Sequence, residues 1–252
     1  MEDLLNKFAD KCNELLAITA GYEGLLGGTP LKKALEEQDR FLAIIDTFPA
    51  KTKTTEHLLS SRQAFLENRN AFLAMIHGFY VQAWLSFCDN VFERMLEKHF
   101  SGVQIYKIPP MPIQFISIED TPDKLLKNIK YRVGEYFSNN IPAVEKHNIL
   151  GKSLKTEMTL ALKNNIKKHI IVRNVIQHNQ GQLRERDLQL LGSNKLMYPC
   201  INGVIYGDYF NPEQIRDYRM KNYIIDDTVE IDGMVLDQVH RDFIYASKCL
   251  IG

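Results

Sequence analysis

Apolar side chains recur at three- and four-residue steps along most of the chain, which is the spacing of amphipathic helices. Near the N-terminus this spacing predicts a helix that ends at Gly21. Thr29, which proline follows, predicts the start of a second helix that ends before Pro49. The longest helical pattern covers about 55–99, and Gly78 inside it predicts either a kink or a break between two helices.

The second half of the chain combines shorter helical patterns with two extended segments. The first extended segment, 103–118, contains three prolines and is typical of an edge strand or irregular chain. The second, 197–210, has paired apolar runs around Asn202-Gly203, which predicts a hairpin with a two-residue turn. Helices are predicted at 121–137, 152–178 and 183–191 and from about Thr228 onward, with a loop at 139–151.

The fold class predicted from these patterns is mainly α. No internal repeat, linker-like run or low-complexity tract divides the chain, so we expect one helical domain with small extended insertions. Its parts would be an N-terminal helical extension at 1–54 and a core at 55–252, with the insertions near 103–118 and 197–210.

Composition narrows the functional classes. The chain has 252 residues and equal numbers of acidic and basic side chains, so a general nucleic-acid-coating protein is excluded and any such contact must be local. Four scattered cysteines without a zinc-like spacing indicate free thiols in a reducing compartment. The N-terminus lacks the pattern of a secretory signal, and the most apolar stretch, 71–85, is too short to span a bilayer. We therefore expect a cytoplasmic protein without a membrane partner.

Common nucleotide, esterase and zinc-protease motifs are absent from the sequence, and the chemistry that remains is the run 173–181, RNVIQHNQG. Asn174 and His178 are four residues apart and share a helix face, while the long side chain of Arg173 can reach the same region. A guanidinium binds phosphate oxygens, and an imidazole exchanges protons near neutral pH. The pair suits metal-free attack of a ribose 2′-hydroxyl on its phosphate. Equally, an arginine and a histidine at a helix end can serve only as caps for the last carbonyls.

The run 173–178 fits the Arg-x(4–6)-His motif of the HEPN superfamily (higher eukaryotes and prokaryotes nucleotide-binding domain), and the His-Asn-x-Gly run at 178–181 resembles the usual end of that motif helix. The resemblance implies an up-and-down helical bundle and a metal-independent endoribonuclease that needs no cofactor. It implies that His178 acts as general acid or base, that Arg173 holds the scissile phosphate and that Asn174 orients His178 or a phosphate oxygen. The products would be a 2′,3′-cyclic phosphate and a 5′-hydroxyl.

The same resemblance implies a homodimer whose two motif helices line one composite site, with RNA as substrate. Members of this family often act as effectors of bacterial defence or toxin–antitoxin systems. The resemblance therefore also implies such a role here, with an antitoxin or regulatory partner. Lys168, Arg184 and Arg186 flank the motif and are candidates for contacts with the RNA backbone, although ordinary solvated charge explains them as well. Two other hypotheses stay open: a HEPN module that binds nucleotide or RNA without cleaving it, and a helical interaction protein in which the motif only caps a helix.

Overall fold

The computed structural model describes residues 1–27, 69–112, 121–201, 218–231 and 233–251, which form a mainly helical fold with one two-stranded sheet. Its elements in chain order are α1 Glu2–Gly27, α2 Arg69–Phe100, α3 Pro122–Asn140, α4 Ala143–Leu154, α5 Leu160–Asn179, α6 Glu185–Leu191, β1 Leu196–Ile201, β2 Tyr218–Tyr223 and α7 Gly233–Ile251. The predicted mainly-α class is therefore confirmed.

The long helix α2 lies at the centre of the fold. It packs against α1, α3, α4, α5 and α7, so it contributes to the core over most of its length. Trp84 has no exposed surface, and its ring stacks on Phe243 of α7 with centroids 5.2 Å apart. Two turns later, Phe92 stacks on Phe137 of α3 at 3.9 Å. The helix is continuous through Gly78, so the predicted break between two helices is not present.

The segment 70–100 of α2 is long and apolar enough to cross a membrane by length and composition, with a mean hydropathy of 1.4 in its most apolar window. This segment is longer than the stretch 71–85, which by its sequence is too short to span a bilayer. A core helix of a soluble protein passes the same test, and the packing of α2 against five other helices gives its apolar residues a core role here.

The two strands pair antiparallel, with Leu196 opposite Tyr223 and Ile201 opposite Tyr218. Leu196 and Tyr198 of β1 point into the core, whereas the alternate residue Met197 is 45% exposed. Among the described residues, β1 pairs with β2, and the sequence pattern did not predict this pairing. The turn predicted at Asn202-Gly203 and the segment after it lie outside the described residues.

Several of the predicted helix boundaries are wrong. Helix α1 continues to Gly27, because a glycine inside a helix costs only about 1 kcal/mol. The loop predicted at 139–151 is largely occupied by α4, whose Lys155 C-cap has a left-handed φ of 58°. The predicted helix 152–178 therefore begins only at Leu160. Helix α7 begins at Gly233 rather than near Thr228, which instead bridges Gln182.

Other predictions agree with the fold or fall outside it. Helix α3 begins after Thr121 with proline in its first turn, as predicted, and α6 lies within the predicted segment 183–191. Within 103–112, the described part of the first extended segment, the backbone is irregular and forms no strand. The predicted helix after Thr29 and the first part of the 55–99 pattern lie outside the described residues. Among the cysteines, Cys12, Cys88 and Cys249 are free, as expected.

His147 in α4 is a buried imidazole with no hydrogen-bond partner for either ring nitrogen among the described residues. Burial lowers the pKa of His147 to about 4, and the nearby Lys163 acts in the same direction. The unfolded chain, in contrast, protonates this side chain near its ordinary pKa of about 6.5. Between these two values only the unfolded state binds the proton, so the free energy of unfolding falls as the pH is lowered from about 6.5 towards 4.

We expect His147→Leu to reduce this acid sensitivity, because leucine binds no proton. The loss of unfolding free energy between pH 7 and pH 5 should be smaller in the variant by about 2 kcal/mol. Urea unfolding at both pH values measures it. His77, whose pKa burial also lowers, retains its own contribution in both proteins. An unchanged difference between the two pH values would contradict the role given to His147.

Candidate functional site

The motif residues lie on α5, whose two ends are both well defined. At the start, the Thr159 hydroxyl accepts a hydrogen bond of 3.2 Å from the Leu162 backbone N–H. At the end, the N–H groups of Gln180 and Gly181 both bond to the Val175 carbonyl oxygen. Gly181 has a φ of 86°, and a Cβ there would lie 3.2 Å from Thr228 Cγ2. The glycine of the motif is therefore required both by its backbone conformation and by the chain packed against it.

Arg173 is half-buried and is held by two neutral acceptors. Its Nη1 donates to Asn174 Oδ1 at 2.9 Å, and its Nη2 donates to Gln82 Oε1 of α2 at 3.4 Å. Its Nε is buried and has no partner among the described residues, and none of their carboxylates lies within 4.0 Å of the guanidinium. Partial burial also lowers the pKa of Arg173. The result is a guanidinium whose charge is not neutralised by any described side chain.

His178 is exposed in the last turn of α5, and its imidazole makes no hydrogen bond to a described residue. It lies five residues after Arg173, which corresponds to about 7.5 Å along the helix axis and about 140° around it. Asn174 lies between them in angle, about 40° from His178. The three motif residues thus share one end of α5, but only Arg173 and Asn174 are joined by a hydrogen bond.

Neither Arg173 nor His178 caps its own helix. Two carbonyls near the end of α5 accept from backbone N–H groups, Val175 from Gly181 at 3.1 Å and Asn179 from Gln182 at 2.9 Å. The guanidinium points instead to Asn174 and across to α2. The capping hypothesis requires both motif side chains at these carbonyls, and the described residues do not have that arrangement.

Helix α2 crosses α5 closely beside the motif. A Cβ built on Gly78 would lie 3.6 Å from Gln177 Nε2, and Gln82, one turn further along α2, reaches Arg173. On the side of α2 that carries Gln82, the large apolar side chains of Met75 and Phe79 are 48% and 50% exposed. The motif therefore borders an exposed apolar surface, which we call the α2 face and define by Met75, Phe79 and Gln82.

The three residues proposed for RNA backbone contacts do not lie together. Arg184 and Arg186 are exposed at the start of α6, next to the end of the motif helix. Arg186 Nη2 also donates to Asn179 Oδ1 at 3.3 Å, so this side chain helps to hold the turn after α5. Lys168 lies ten residues before His178, about 15 Å away along the axis, and faces a different cleft. Only the two arginines are therefore near the motif.

Sequence reasoning missed a buried polar network behind Arg173. His169 Nε2 lies 2.9 Å from Asp242 Oδ2, and His169 Nδ1 lies 2.7 Å from the Tyr198 hydroxyl oxygen. The same oxygen is 3.0 Å from His77 Nε2. One consistent proton assignment has His77 donating to Tyr198, Tyr198 donating to His169, and His169 donating to Asp242. The sequence placed His77 and His169 among structural or exposed histidines, and nothing in their spacing indicated that α2, α5, β1 and α7 would bring these groups together.

The network keeps one imidazole neutral beside the motif. Burial lowers the pKa of His77 well below its ordinary value, and the charges of His169 and Arg173 act in the same direction. His77 Nδ1 is buried without a partner among the described residues, which suits an unprotonated nitrogen. His77 is a titratable residue, but burial keeps it neutral beside the guanidinium of Arg173.

Comparison of the chain with protein families, with curated proteins and with solved structures finds no match in any of the three. Among the described residues, no group of three or more histidine, cysteine, aspartate or glutamate side chains is arranged to hold a metal ion. The interpretation of the site therefore depends on the motif and on the geometry around it.

The close crossing of α2 and α5 predicts opposite effects for two substitutions at Gly78. Gly78→Ala places its methyl group at ordinary contact distance from Gln177 and should stabilise α2 by up to about 1 kcal/mol, because glycine is the poorer helix former. Gly78→Leu should force the helices apart and destabilise the protein by about 1–3 kcal/mol. Thermal unfolding of both variants measures these changes. A leucine variant as stable as the alanine variant would show that the crossing is not close.

Proposed function

We propose that the protein is a HEPN-type endoribonuclease that cleaves RNA without a metal ion, and that Arg173, Asn174 and His178 carry the reaction. The observation that carries the proposal is the half-buried guanidinium of Arg173, which is oriented by Asn174 and Gln82 but has no counter-ion among the described residues. A group of this kind favours an anion, and the phosphodiester of RNA is an anion with oxygens spaced for a guanidinium.

In the proposed reaction, Arg173 binds the scissile phosphate and stabilises the charge that develops on it as the 2′-hydroxyl attacks. His178 either removes the proton of that hydroxyl or donates one to the leaving 5′-oxygen. Its exposure leaves the imidazole accessible to a substrate. Asn174 fixes Arg173 from within the same helix. The bond formed is that of the 2′,3′-cyclic phosphate, and the bond broken frees a 5′-hydroxyl.

The proposed enzyme is a homodimer with a composite site. Within one chain, the backbone positions of Arg173 and His178 differ by about 140° around α5, and a composite site would not require both groups to come from the same chain. A second copy facing the first would bring its own His178 towards the Arg173 of its partner. Met75 and Phe79 of the α2 face supply exposed apolar surface next to the motif for this contact.

Binding without cleavage is the second candidate function. It is favoured by one observation, namely that no described residue orients the imidazole of His178. A histidine without an orienting partner is a weaker general base, whereas an arginine without a counter-ion still binds phosphate. The cleavage assay below separates the two functions. The cytoplasmic location, the defence role and the antitoxin or regulatory partner also remain proposals.

Purified protein is expected to cleave single-stranded RNA in the presence of EDTA, and His178→Ala should lower the rate by at least about 100-fold because general acid–base catalysis is lost. Arg173→Lys should also be impaired, since lysine keeps the charge but lacks the planar fork. Asn164→Ala, at an exposed position in the first half of α5, is the matched control and should retain activity. Product analysis should detect the cyclic phosphate.

Two results of this assay would contradict the proposal, the first for the role of His178 and the second for the enzymatic activity. Cleavage that persists unchanged in His178→Ala would remove this residue from the mechanism. RNA that binds tightly to the wild-type protein, is released by Arg173→Ala and is never cleaved would support the binding module.

The dimer proposal predicts that Phe79→Glu disrupts self-association, because it places a charge in the apolar part of the α2 face. The variant should sediment as a monomer and lose RNA cleavage in parallel, while its circular dichroism spectrum stays helical. Tyr131→Glu is the matched control, since Tyr131 is a similarly exposed aromatic residue, 64% exposed, on α3. A Phe79→Glu protein that remains dimeric and active would place the interface elsewhere.

A further inference from the structure

A cleft of about 210 Å³ opens between α5, the two strands and α7, and the proposed ribonuclease mechanism does not use it. It is lined by Asn165, Lys168, His169, Met197, Tyr198, Pro199, Met220, Gln238 and Asp242. Its volume is below that of pockets for drug-sized molecules, so it accommodates a single small ring system rather than a whole nucleotide. Lys168 and His178 are ten residues apart on α5, about 15 Å along the axis, which separates the cleft from the motif.

The strands contribute an apolar wall to the cleft, formed by Met197, Pro199 and Met220. Pro199 lies opposite Met220 in the strand register, and Met197 is on the same face of the pair because it is two residues from Pro199. Met197 and Met220 are 45% and 43% exposed. Thioether groups are polarisable and make favourable contacts with aromatic rings. This wall is therefore suited to the face of a planar ring.

Other parts of the lining are polar and retain hydrogen-bonding capacity. Among the described residues, the side chains of Asn165 and Lys168 have no hydrogen-bond partner, so this part of the lining offers an amide and an ammonium group to a ligand. Asp242 accepts from Gln238 at 2.9 Å and lies 2.9 Å from His169, but each of its oxygens has a further lone pair. The lining thus offers both donors and acceptors.

The charges of the lining favour a neutral ligand. Lys168 is attracted to Asp242, so the cleft has no strong positive field for an anion. Burial lowers the pKa of Lys168, and the negative charge of Asp242 acts in the opposite direction. Asp242 already receives two hydrogen bonds, and it is therefore not an unpaired anion that needs an ammonium group. A zwitterion such as a free amino acid would need the positive charge of Lys168 and the negative charge of Asp242 to be available to it.

We propose that this cleft binds a neutral planar heterocycle with donors and acceptors along its edge, of the size of a single nucleobase. The ring lies against the two methionines and the proline, and its edge bonds to Asn165, Lys168, Asp242 and Gln238. The base comes either from a free nucleoside or from a strand of RNA. This inference depends on the cleft alone and does not require the protein to be a ribonuclease.

The test uses the full chain with His178→Ala, which prevents cleavage, and calorimetric titration with guanosine, adenosine, cytidine and uridine. At least one nucleoside should bind with one site per chain. Lys168→Ala and Met220→Ala should each weaken that binding by at least about fivefold, which corresponds to the loss of one hydrogen bond or ring contact. The matched controls are Lys152→Ala and Leu190→Ala, which remove an exposed lysine and an exposed apolar side chain from α4 and α6.

A second titration with a short single-stranded RNA identifies the source of the base. RNA binding that exceeds nucleoside binding and is weakened by the same two variants identifies a base within a strand, whereas equal affinities identify the free nucleoside. The proposal is overturned if no nucleoside binds, or if binding is unchanged in both cleft variants. It is also overturned if leucine, used as a zwitterionic probe, binds in the cleft and the nucleosides do not.

Discussion

The close crossing of α2 and α5 is the constraint on which the arrangement of the site depends. At position 78, α2 lies against the side chain of Gln177, and a Cβ there would be 3.6 Å from Gln177 Nε2, an ordinary contact distance. At this separation Gln82, one turn along α2, reaches the guanidinium of Arg173. A wider crossing would leave Arg173 with Asn174 as its one acceptor among the described residues, and the long side chain would lose its fixed direction. A methyl group at position 78 would also fit, so the direction of Arg173 depends on its contacts with Asn174 and Gln82 rather than on the glycine itself.

The buried network behind the motif determines which charges the site can hold. Asp242, His169, Tyr198 and His77 form a continuous chain of contacts from α7 through α5 and β1 to α2, all within 3.0 Å. In the proton assignment above, the negative charge of Asp242 is satisfied at one end, and His77 remains neutral at the other. A protonated His77 would repel Arg173 and would cost free energy in a buried position. Arg173 thus provides a positive charge within the motif to which His77 adds none.

The sequence predicted local features well and long-range contacts poorly. The end of α5 was correct because Gly181 adopts a left-handed conformation that glycine favours, and the start of α3 follows from Thr121 and the proline after it. In contrast, α4 was taken for a loop because its short pattern contains a glycine and many polar residues, and its stability comes from packing against α2 and α5. The pairing of β1 with β2 and the meeting of His77 with Tyr198 join residues far apart in sequence, and no local pattern encodes such contacts.

Helix α5 is enclosed by the rest of the fold, and for this reason its accessible polar side chains help to locate a binding site. Buried residues occur around almost the whole circumference of this helix, including Ile166, Ile170, Ile171, Val172 and Val175. A helix so enclosed needs little polar surface for solvation, in contrast to an amphipathic helix at the surface. Its exposed or half-exposed polar groups include the motif at its C-terminal end and Asn165 and Lys168 beside the cleft. Arg173 in particular bears a desolvation cost that no described carboxylate offsets. A bound phosphate would offset this cost, which is the physical reason for interpreting the motif as a binding site rather than as helix surface.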